Sequence, residues 1–501
     1  MRDFWERNRA AVVTLAVTLL VIGFLIRDLE PKVWVSILLS GLTLGALFFL
    51  VAAGLSLIFG LMDVLNFAHG IFFMLGAYVG WTVFANPRLI FNTTPLFLAL
   101  GAGTTLAPLL GPPLWQREMP AQVRRALPWL LLLAGAVVAA LSFHSYNLDR
   151  LVAFGPTVAG GSIPTAEAQE PAARLLMRMI LLFVAGLIVS PTLARSATAG
   201  VGRRPMRRSL GSAVGLAVLG LALLVARTAG ESFVLSLNID LRFLLALIVG
   251  TGVGALIGGF TEWALIRPLY ERPIYQVLLT LGLVFVGTEF VKAIWGSAAY
   301  PPLARPSYFG GNCRSDNLLA WIGEHCASVN MLGRAFPTYR LFIIGVGVLV
   351  FVVVATLLRR SRLGMTIRAG VEDSEMVEAL GINVRRVFTL VFALGSGLAA
   401  LGGVVVTPFL GLNPGMGLEF LLQGFIVVVI GGLGSFPGAA FGAILVGLAR
   451  AFGDHFVVSG LQLPGMAEQI RFSPAIARAS TVLIMALVLL VRPSGIFGSK
   501  E

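Results

Sequence analysis

Apolar runs long enough to cross a membrane recur along the whole chain, and they restrict its fold more than any other feature. The first is Ala10–Ile26 and the last is Ser480–Val491. A helix needs about 20 mostly apolar residues to span the hydrocarbon core, and these runs are continuous, whereas the strands of a membrane barrel alternate. Only 12% of the 501 residues are charged, although a soluble domain carries about 25%. The sequence therefore predicts an all-α fold, a polytopic transmembrane helical bundle.

Arginine clusters between the apolar runs set the expected orientation. The formal net charge is +13, and nearly all the basic residues are arginines. Cytoplasmic loops of membrane proteins are enriched in basic residues, and counting the runs places the clusters on one side with both termini. Because this rule explains the charge, we expect membrane lipid and no nucleic acid as a partner. We predict a multi-pass membrane protein with cytoplasmic amino and carboxyl termini.

The composition of the runs and loops divides the chain into four segments. Residues 1–32 carry an extra amino-terminal transmembrane helix, because its apolar run lacks the cleavage site of a signal peptide. Residues 33–94 and 241–501 form the two parts of the main helical bundle. Residues 95–240 are predicted to be an inserted block of about four extra helices. Their loops are rich in Ala, Pro and Arg, and four crossings leave the orientation of later spans unchanged.

Two cysteines, Cys313 and Cys326, fall in one polar loop at 297–337, which the orientation places on the periplasmic side. In an oxidising compartment a disulfide between them would close this loop. Two free thiols are an equal alternative at this stage. No metal-ligand spacing accompanies them, so we expect no metal site.

The motifs of nucleotide binding and hydrolysis are missing from the sequence. No lysine follows a glycine, which excludes a P-loop. The histidines are widely spaced, at positions 69, 144, 325 and 455. We therefore expect no catalytic residue, no enzyme activity and no cofactor in this chain.

Polar residues interrupt the apolar sequence at a turn between two runs, where Asn66 and His69 follow Asp63. Polar groups are costly in hydrocarbon and often line a transport pathway. Asn66 and His69 are therefore candidate pathway residues. The alternative is that they cap helix ends.

Glycines crowd a second stretch, Val429–Ala440, which contains Gly431, Gly432 and Gly434. Such a stretch can break a helix and expose backbone beside a pathway, or it can let two helices cross closely. Close packing is the favoured alternative, and the three glycines are further pathway candidates.

Charged residues close to or inside the runs are few. Glu262 lies near the inner membrane edge, and we expect a structural ion pair with a nearby arginine. Glu289 and Lys292 lie inside one run at a spacing that predicts a local pair.

The longest polar stretch that two apolar runs bracket is Arg359–Arg386. Its middle, Glu372–Leu380, has the periodicity of a short amphipathic helix, and Gly381 is a helix stop before Ile382. A surface helix held by two spans can bind a soluble partner. An ordinary solvated loop is the alternative.

Together and in this order, these stretches resemble the LivH-type permeases of branched-chain amino acid ABC importers, in the high-affinity branched-chain amino acid and urea-amide permease family. The similar segments are 54–79 (GLSLIFGLMDVLNFAHGIFFMLGAYV), 266–283, 361–387, 425–449 and the ending VRPSGIFG at 491–498. The resemblance covers about Val33–Phe97 and Leu241–Gly498 and leaves the first run and the inserted block outside it. It implies that residues 33–94 and 241–501 are the two parts of one permease core in a bacterial inner (cytoplasmic) membrane.

The resemblance implies several partners and a site for one of them. It implies a second, LivM-like permease subunit, two ABC ATPase subunits that bind ATP and Mg, and a periplasmic solute-binding protein. The cytoplasmic coupling helix, within the loop 359–386, would bind the ATPase through Glu372, Glu375, Met376, Ala379, Leu380, Gly381 and Ile382. The usual E-A-A pattern is Glu375-Met376-Val377 here, and this bulkier pair could change which ATPase docks.

The resemblance therefore implies a permease subunit that translocates branched-chain amino acids or similar small solutes. Urea or short amides and organic acids are alternative solutes. An ion-driven secondary transporter is a competing hypothesis, which predicts charged residues at mid-membrane and an internal repeat. A membrane scaffold without transport would leave the coupling helix unexplained.

Overall fold

The computed structural model describes residues 30–62, 65–115, 119–143, 171–197, 206–270, 272–372, 374–460 and 473–497. The predicted amino-terminal span Ala10–Ile26 lies outside these residues, and so does Asp63. Within the described chain, ten helices are long and apolar enough to cross a membrane, or up to eleven if a bent pair counts as one span. The predicted all-α, multi-pass membrane bundle is confirmed.

The chain forms two compact units, Met1–Trp81 with Ile239–Glu501 and Thr82–Asn238. The helices up to the end of the second unit are α1 Pro31–Met62, α2 His69–Ala85, α3 Pro87–Thr104, α4 Ala107–Trp115, α5 Ala121–Phe143, α6 Ala172–Ala197, α7 Met206–Val225 and α8 Arg227–Ser236. The later helices are α9 Ile239–Thr261, α10 Pro273–Trp295, α11 Leu318–Glu324, α12 Thr338–Arg360, α13 Arg362–Glu372, α14 Ser374–Ala379, α15 Val384–Leu410, α16 Met416–Gly431, α17 Phe436–Ser459 and α18 Pro474–Val491.

Helix α1 is the centre of the first unit, since α15 and α17 both pack against it. Its middle is buried, with Leu47, Leu50 and Val51 fully shielded. A Cβ placed on Gly41 would lie 2.9 Å from the Cα of Leu448 in α17. Small residues at such crossings let helix backbones approach closely in lipid, where van der Waals packing drives association.

The loop 297–337 contains a small sheet that the sequence did not predict. Its strands are β1 Gly311–Ser315, β2 Cys326–Met331 and β3 Arg334–Pro337, with β2 parallel to β1 and antiparallel to β3. Of the two alternatives for the cysteines, the structure contains the disulfide, which joins Cys313 to Cys326 with an S–S distance of 1.97 Å.

The second unit has its own apolar core, formed by Leu96, Leu175, Met179, Leu182 and Leu224. An ion pair of 2.9 Å between Arg88 of α3 and Glu231 of α8 supplements it. The sequence did not predict α8, which follows α7 at a bend of 65°. This unit begins at Thr82, earlier than residue 95, and the insertion of residues 95–240 stays a prediction.

The pair Glu289–Lys292 forms as predicted, with 2.7 Å between carboxylate and ammonium. Its side chains are 70% and 38% exposed, respectively, and both lie near the end of α10. This local contact accounts for the only two charged residues that the sequence placed well inside a run.

Candidate functional site

The glycine-rich stretch separates two helices. α16 ends at Gly431 and α17 begins at Phe436. Between them Gly432 and Gly434 have φ angles of 102° and 77°, a region that other residues rarely adopt. A real helix break therefore exists here.

The same glycines also provide close packing, which was the favoured alternative. A Cβ on Gly431 would overlap the backbone of Gly438, and a Cβ on Gly442 would overlap the backbone around Val427. The glycines therefore both end α16 and let α17 pack closely against it, because α17 turns back along α16.

The carboxyl-terminal segment completes this broken end. Ile496 donates its N–H to the carbonyl of Ile430 at 2.9 Å, and Phe497 donates to the carbonyl of Gly431 at 3.0 Å. The last carbonyl groups of a helix have no partner within the helix. The ending RPSGIF therefore satisfies the carbonyl groups that the break exposes.

The turn before α2 buries both candidate polar residues. The Asn66 Oδ1 accepts the N–H of Ala68 at 3.0 Å, and the His69 Nε2 donates to the carbonyl of Val51 in α1 at 3.1 Å. Asn66 is 2% exposed and His69 is fully buried. Within the described chain, the Asn66 Nδ2 and the His69 Nδ1 have no hydrogen-bond partner. The Asn66 contact lies within the turn before α2, whereas the His69 contact joins α2 to the interior of α1. Each contact leaves the other polar atom of its residue without a partner among the described residues.

Both sets of pathway candidates adjoin α1. A Cβ on Gly54 of α1 would lie 2.8 Å from the His69 Cε1, and one on Gly60 would lie 3.0 Å from the Gly434 carbonyl. The structure therefore places the polar turn and the glycine break along the same helix, close to its carboxyl-terminal end.

The coupling stretch is helical on both sides of Asp373, a residue outside the described part of the chain. Glu372 is the last residue of α13, and Glu375 lies in the short helix α14 with Met376 and Ala379. The described residues of Glu372–Leu380 are helical as far as Ala379, and a single helix through Asp373, which lies outside the described residues, stays a prediction.

Gly381 stops α14 as predicted. Its φ is 82°; its N–H donates to the Glu378 carbonyl at 2.9 Å, and the Ile382 N–H donates to the Val377 carbonyl at 3.3 Å. This pair of bonds is a Schellman motif. Val377 is buried, whereas Met376 and Leu380 are 60% and 73% exposed. Of the two residues that stand where E-A-A has alanines, Val377 is therefore buried and Met376 is exposed.

Helix α13 joins the coupling stretch to the first unit. Its Ile367 is buried beside Val391 of α15, with Leu57 and Met62 of α1 packed against this pair. Met62 ends α1, and the turn to Asn66 follows. A displacement of α13 would therefore act directly on the end of α1 that leads to the polar turn.

A buried carboxylate holds α9 to the base of α15. Glu262, fully buried, begins a π-helical turn after α9. The Arg267 guanidinium donates to both of its oxygens, at 3.2 and 3.1 Å, as the predicted ion pair requires. Arg267 also donates to the Thr389 hydroxyl and to the Arg385 carbonyl.

Two members of this network were missed from the sequence, Tyr270 and Thr389. The Tyr270 hydroxyl donates to the Glu262 carboxylate. Burial, followed by this hydrogen bond, raises the pKa of Tyr270, so the hydroxyl remains a donor throughout the physiological pH range. Tyr270 follows Glu262 by two helical turns and could have been found by that spacing. No pattern links Thr389 to Arg267, which is 122 residues away.

Comparison with known proteins identifies the family. The family model described as "Branched-chain amino acid transport system / permease component" matches residues 37–148 and 209–491. The high-affinity branched-chain amino acid transport system permease protein LivH of Escherichia coli K12 is 29% identical over 263 residues, which are 51% of this chain and 76% of the relative.

Two further relatives are similar to shorter parts of this chain. The permease protein BraD of Pseudomonas aeruginosa, from a high-affinity branched-chain amino acid transport system, is 36% identical over 173 residues, 34% of this chain and 52% of BraD. The fructose import permease protein FrcC of Rhizobium meliloti is 28% identical over 221 residues, 41% of this chain and 54% of FrcC. No solved structure matches. The family match covers most of the chain and all the candidate residues above, so the chain belongs to the family of branched-chain amino acid transport system permease components.

Proposed function

We propose that this chain is the transmembrane permease subunit of an ABC importer that carries branched-chain amino acids or similar small solutes. A periplasmic binding protein would deliver the solute, and a second, LivM-like permease would form the other half of the pathway. Two separate ATPase subunits would bind ATP and Mg, because this sequence has no P-loop. The family membership supports the permease role, and the relatives LivH and BraD support the solute class.

The observation that best supports the coupling role is the exposed apolar surface at the end of α14. Met376, Leu380 and Ile382 are 60%, 73% and 39% exposed, beside the sharp stop at Gly381. Exposed apolar side chains on a polar loop indicate a protein contact. We infer that the ATPase docks on this surface, together with Glu372, Glu375 and Ala379.

The anchoring of α13 supports a route from the ATPase to the pathway. Movement of the docked α14 would reach α1 through the packing of Ile367 against Leu57 and Met62. Asn66 and His69 follow α1 directly, and Gly434 contacts it at Gly60. We infer that Asn66, His69, Gly431, Gly432 and Gly434 line the pathway, where the unused polar atoms of Asn66 and His69 would meet solute or water.

The orientation belongs to the same proposal. Arg267 and the Arg385 carbonyl meet at one end of the first unit, which agrees with the placement of both arginine-rich loops on one side. The positive-inside rule makes that side cytoplasmic. The disulfide-closed loop 297–337 would then face the periplasm, and both termini the cytoplasm.

Co-purification tests the coupling surface. The chain is isolated from native membranes in mild detergent, and its partners are identified by mass spectrometry. We expect a P-loop ATPase and a second permease, and we expect Leu380→Glu to lose the ATPase while it retains the permease. Leu319→Glu is the matched control, since Leu319 is 82% exposed on α11, outside the coupling stretch. Recovery of equal ATPase with L380E and wild type would contradict the docking site.

A further inference from the structure

A cavity of about 590 Å³ lies in the first unit, beside the first turns of α1 and α12. This volume is within the range of about 300–1,000 Å³ that small-molecule sites occupy. Its lining includes the exposed Val458 and the buried side chains of Phe48, Phe420 and Gln423. The sequence pattern did not indicate this cavity, because its lining comes from five separate helices.

Arg340 lines this cavity without a carboxylate partner among the described residues. The guanidinium donates to the Ser40 hydroxyl at 3.2 Å and lies over the Phe409 ring, 5.0 Å from its centre. These contacts fix its position but leave most of its five donors unused. A guanidinium stays charged in proteins and matches a carboxylate with two parallel hydrogen bonds. Arg340 is therefore a prepared site for an anion.

Two carboxylates line the same cavity and are available to a cation. Glu419 lies 3.7 Å from Arg478, and Asp454 lies 3.1 Å from Arg450. The carboxylate side chains are 40% and 48% exposed. Ion pairs with this exposure hold their members weakly, so an ammonium group can compete for either carboxylate.

The buried part of the lining offers an independent indication of a ligand. Gln423 is 7% exposed, and its Oε1 has no hydrogen-bond partner in the described part of the chain. A buried acceptor without a donor is unfavourable, and a ligand N–H group would satisfy it.

We propose that this cavity binds the zwitterionic head group of an α-amino acid, with the carboxylate on Arg340 and the ammonium group directed to Gln423, Glu419 or Asp454. The inference rests on the proposed importer function and specifies its solute class. Urea, amides and sugars carry neither charge, so they would leave Arg340 uncompensated. An organic acid would satisfy Arg340 and leave Gln423 without a donor.

Binding of radiolabelled L-leucine to the purified chain in nanodiscs, with its co-isolated subunits and without binding protein, tests this inference. Competitors separate the two charges: leucinamide lacks the carboxylate, 4-methylpentanoate lacks the ammonium group, and urea lacks both. We expect each to compete at least about tenfold more weakly than leucine, since charge-assisted hydrogen bonds are the strong ones. We expect Arg340→Gln to weaken leucine binding at least about tenfold and Arg340→Lys to weaken it less.

Arg314→Gln is the matched control, since Arg314 is exposed on β1, outside the cavity, and its loss should leave leucine affinity unchanged. If R340Q does not fold, Gln423→Met removes the buried amide at similar length and should also weaken leucine. Equal leucine affinity in R340Q and wild type overturns the inference, as does equal competition by urea. If R340Q binds leucine as wild type does but no longer binds the periplasmic binding protein, the inference is also overturned. Arg340 would then be a docking residue for the binding protein. ATPase recovery in the same preparations tests the importer function separately.

Discussion

At the residue scale, the buried Glu262 begins the π-helical turn that follows α9. The extra residue of such a turn lets Glu262, Arg267 and Tyr270 face one another, while Arg267 reaches Thr389 and the Arg385 carbonyl. π-Helical turns occur frequently at functional sites. This one lies where the coupling stretch ends and α15 begins.

We expect Glu262→Gln to destabilise the protein, because it leaves the Arg267 charge without its only carboxylate among the described residues. Breaking a buried pair costs about 3–5 kcal/mol, and since the Arg267 side chain is 25% exposed, we expect about 1–3 kcal/mol. Glu289→Gln is the matched control, since exposed pairs contribute about 0–1 kcal/mol. Thermal unfolding of the two variants in the same detergent makes the comparison. Equal unfolding temperatures would show that the Glu262 network does not stabilise the fold.

At the element scale, the turn between α16 and α17 depends on the absence of side chains. Gly431→Ala would place a Cβ against the Gly438 backbone, which cannot rotate away as a side chain can. Overpacking of this kind costs about 1–3 kcal/mol, so we expect a lower unfolding temperature and less monodisperse protein.

Gly252→Ala provides the comparison for this element, because nothing lies within 4 Å of the added Cβ. Alanine in a helix is favoured over glycine by about 0.5–1 kcal/mol, so this variant should unfold at the same or a higher temperature. If the unfolding temperature falls by a similar amount in both variants, the close approach of α16 and α17 makes no specific contribution to stability.

At the scale of the whole molecule, run length and charge predicted the membrane bundle and most helices, because a membrane span is a local property of the sequence. The sequence predicted only part of the network at Glu262. The Glu–Arg pair is local in sequence, whereas Thr389 reaches Arg267 only through the packing of distant segments. The sheet of β1–β3 and the cavity at Arg340 were missed for the same reason, since their residues meet only in the folded chain.

The most direct test of the permease role is solute uptake into proteoliposomes. Vesicles hold either the complete assembly of this chain with its co-purified permease and ATPases, or this chain alone, and labelled L-leucine is presented with its binding protein. We expect uptake only by the complete assembly, only with ATP on the ATPase side, and not with L380E. Uptake by the chain alone, driven by an ion gradient without ATP, would contradict the importer function and favour a secondary transporter.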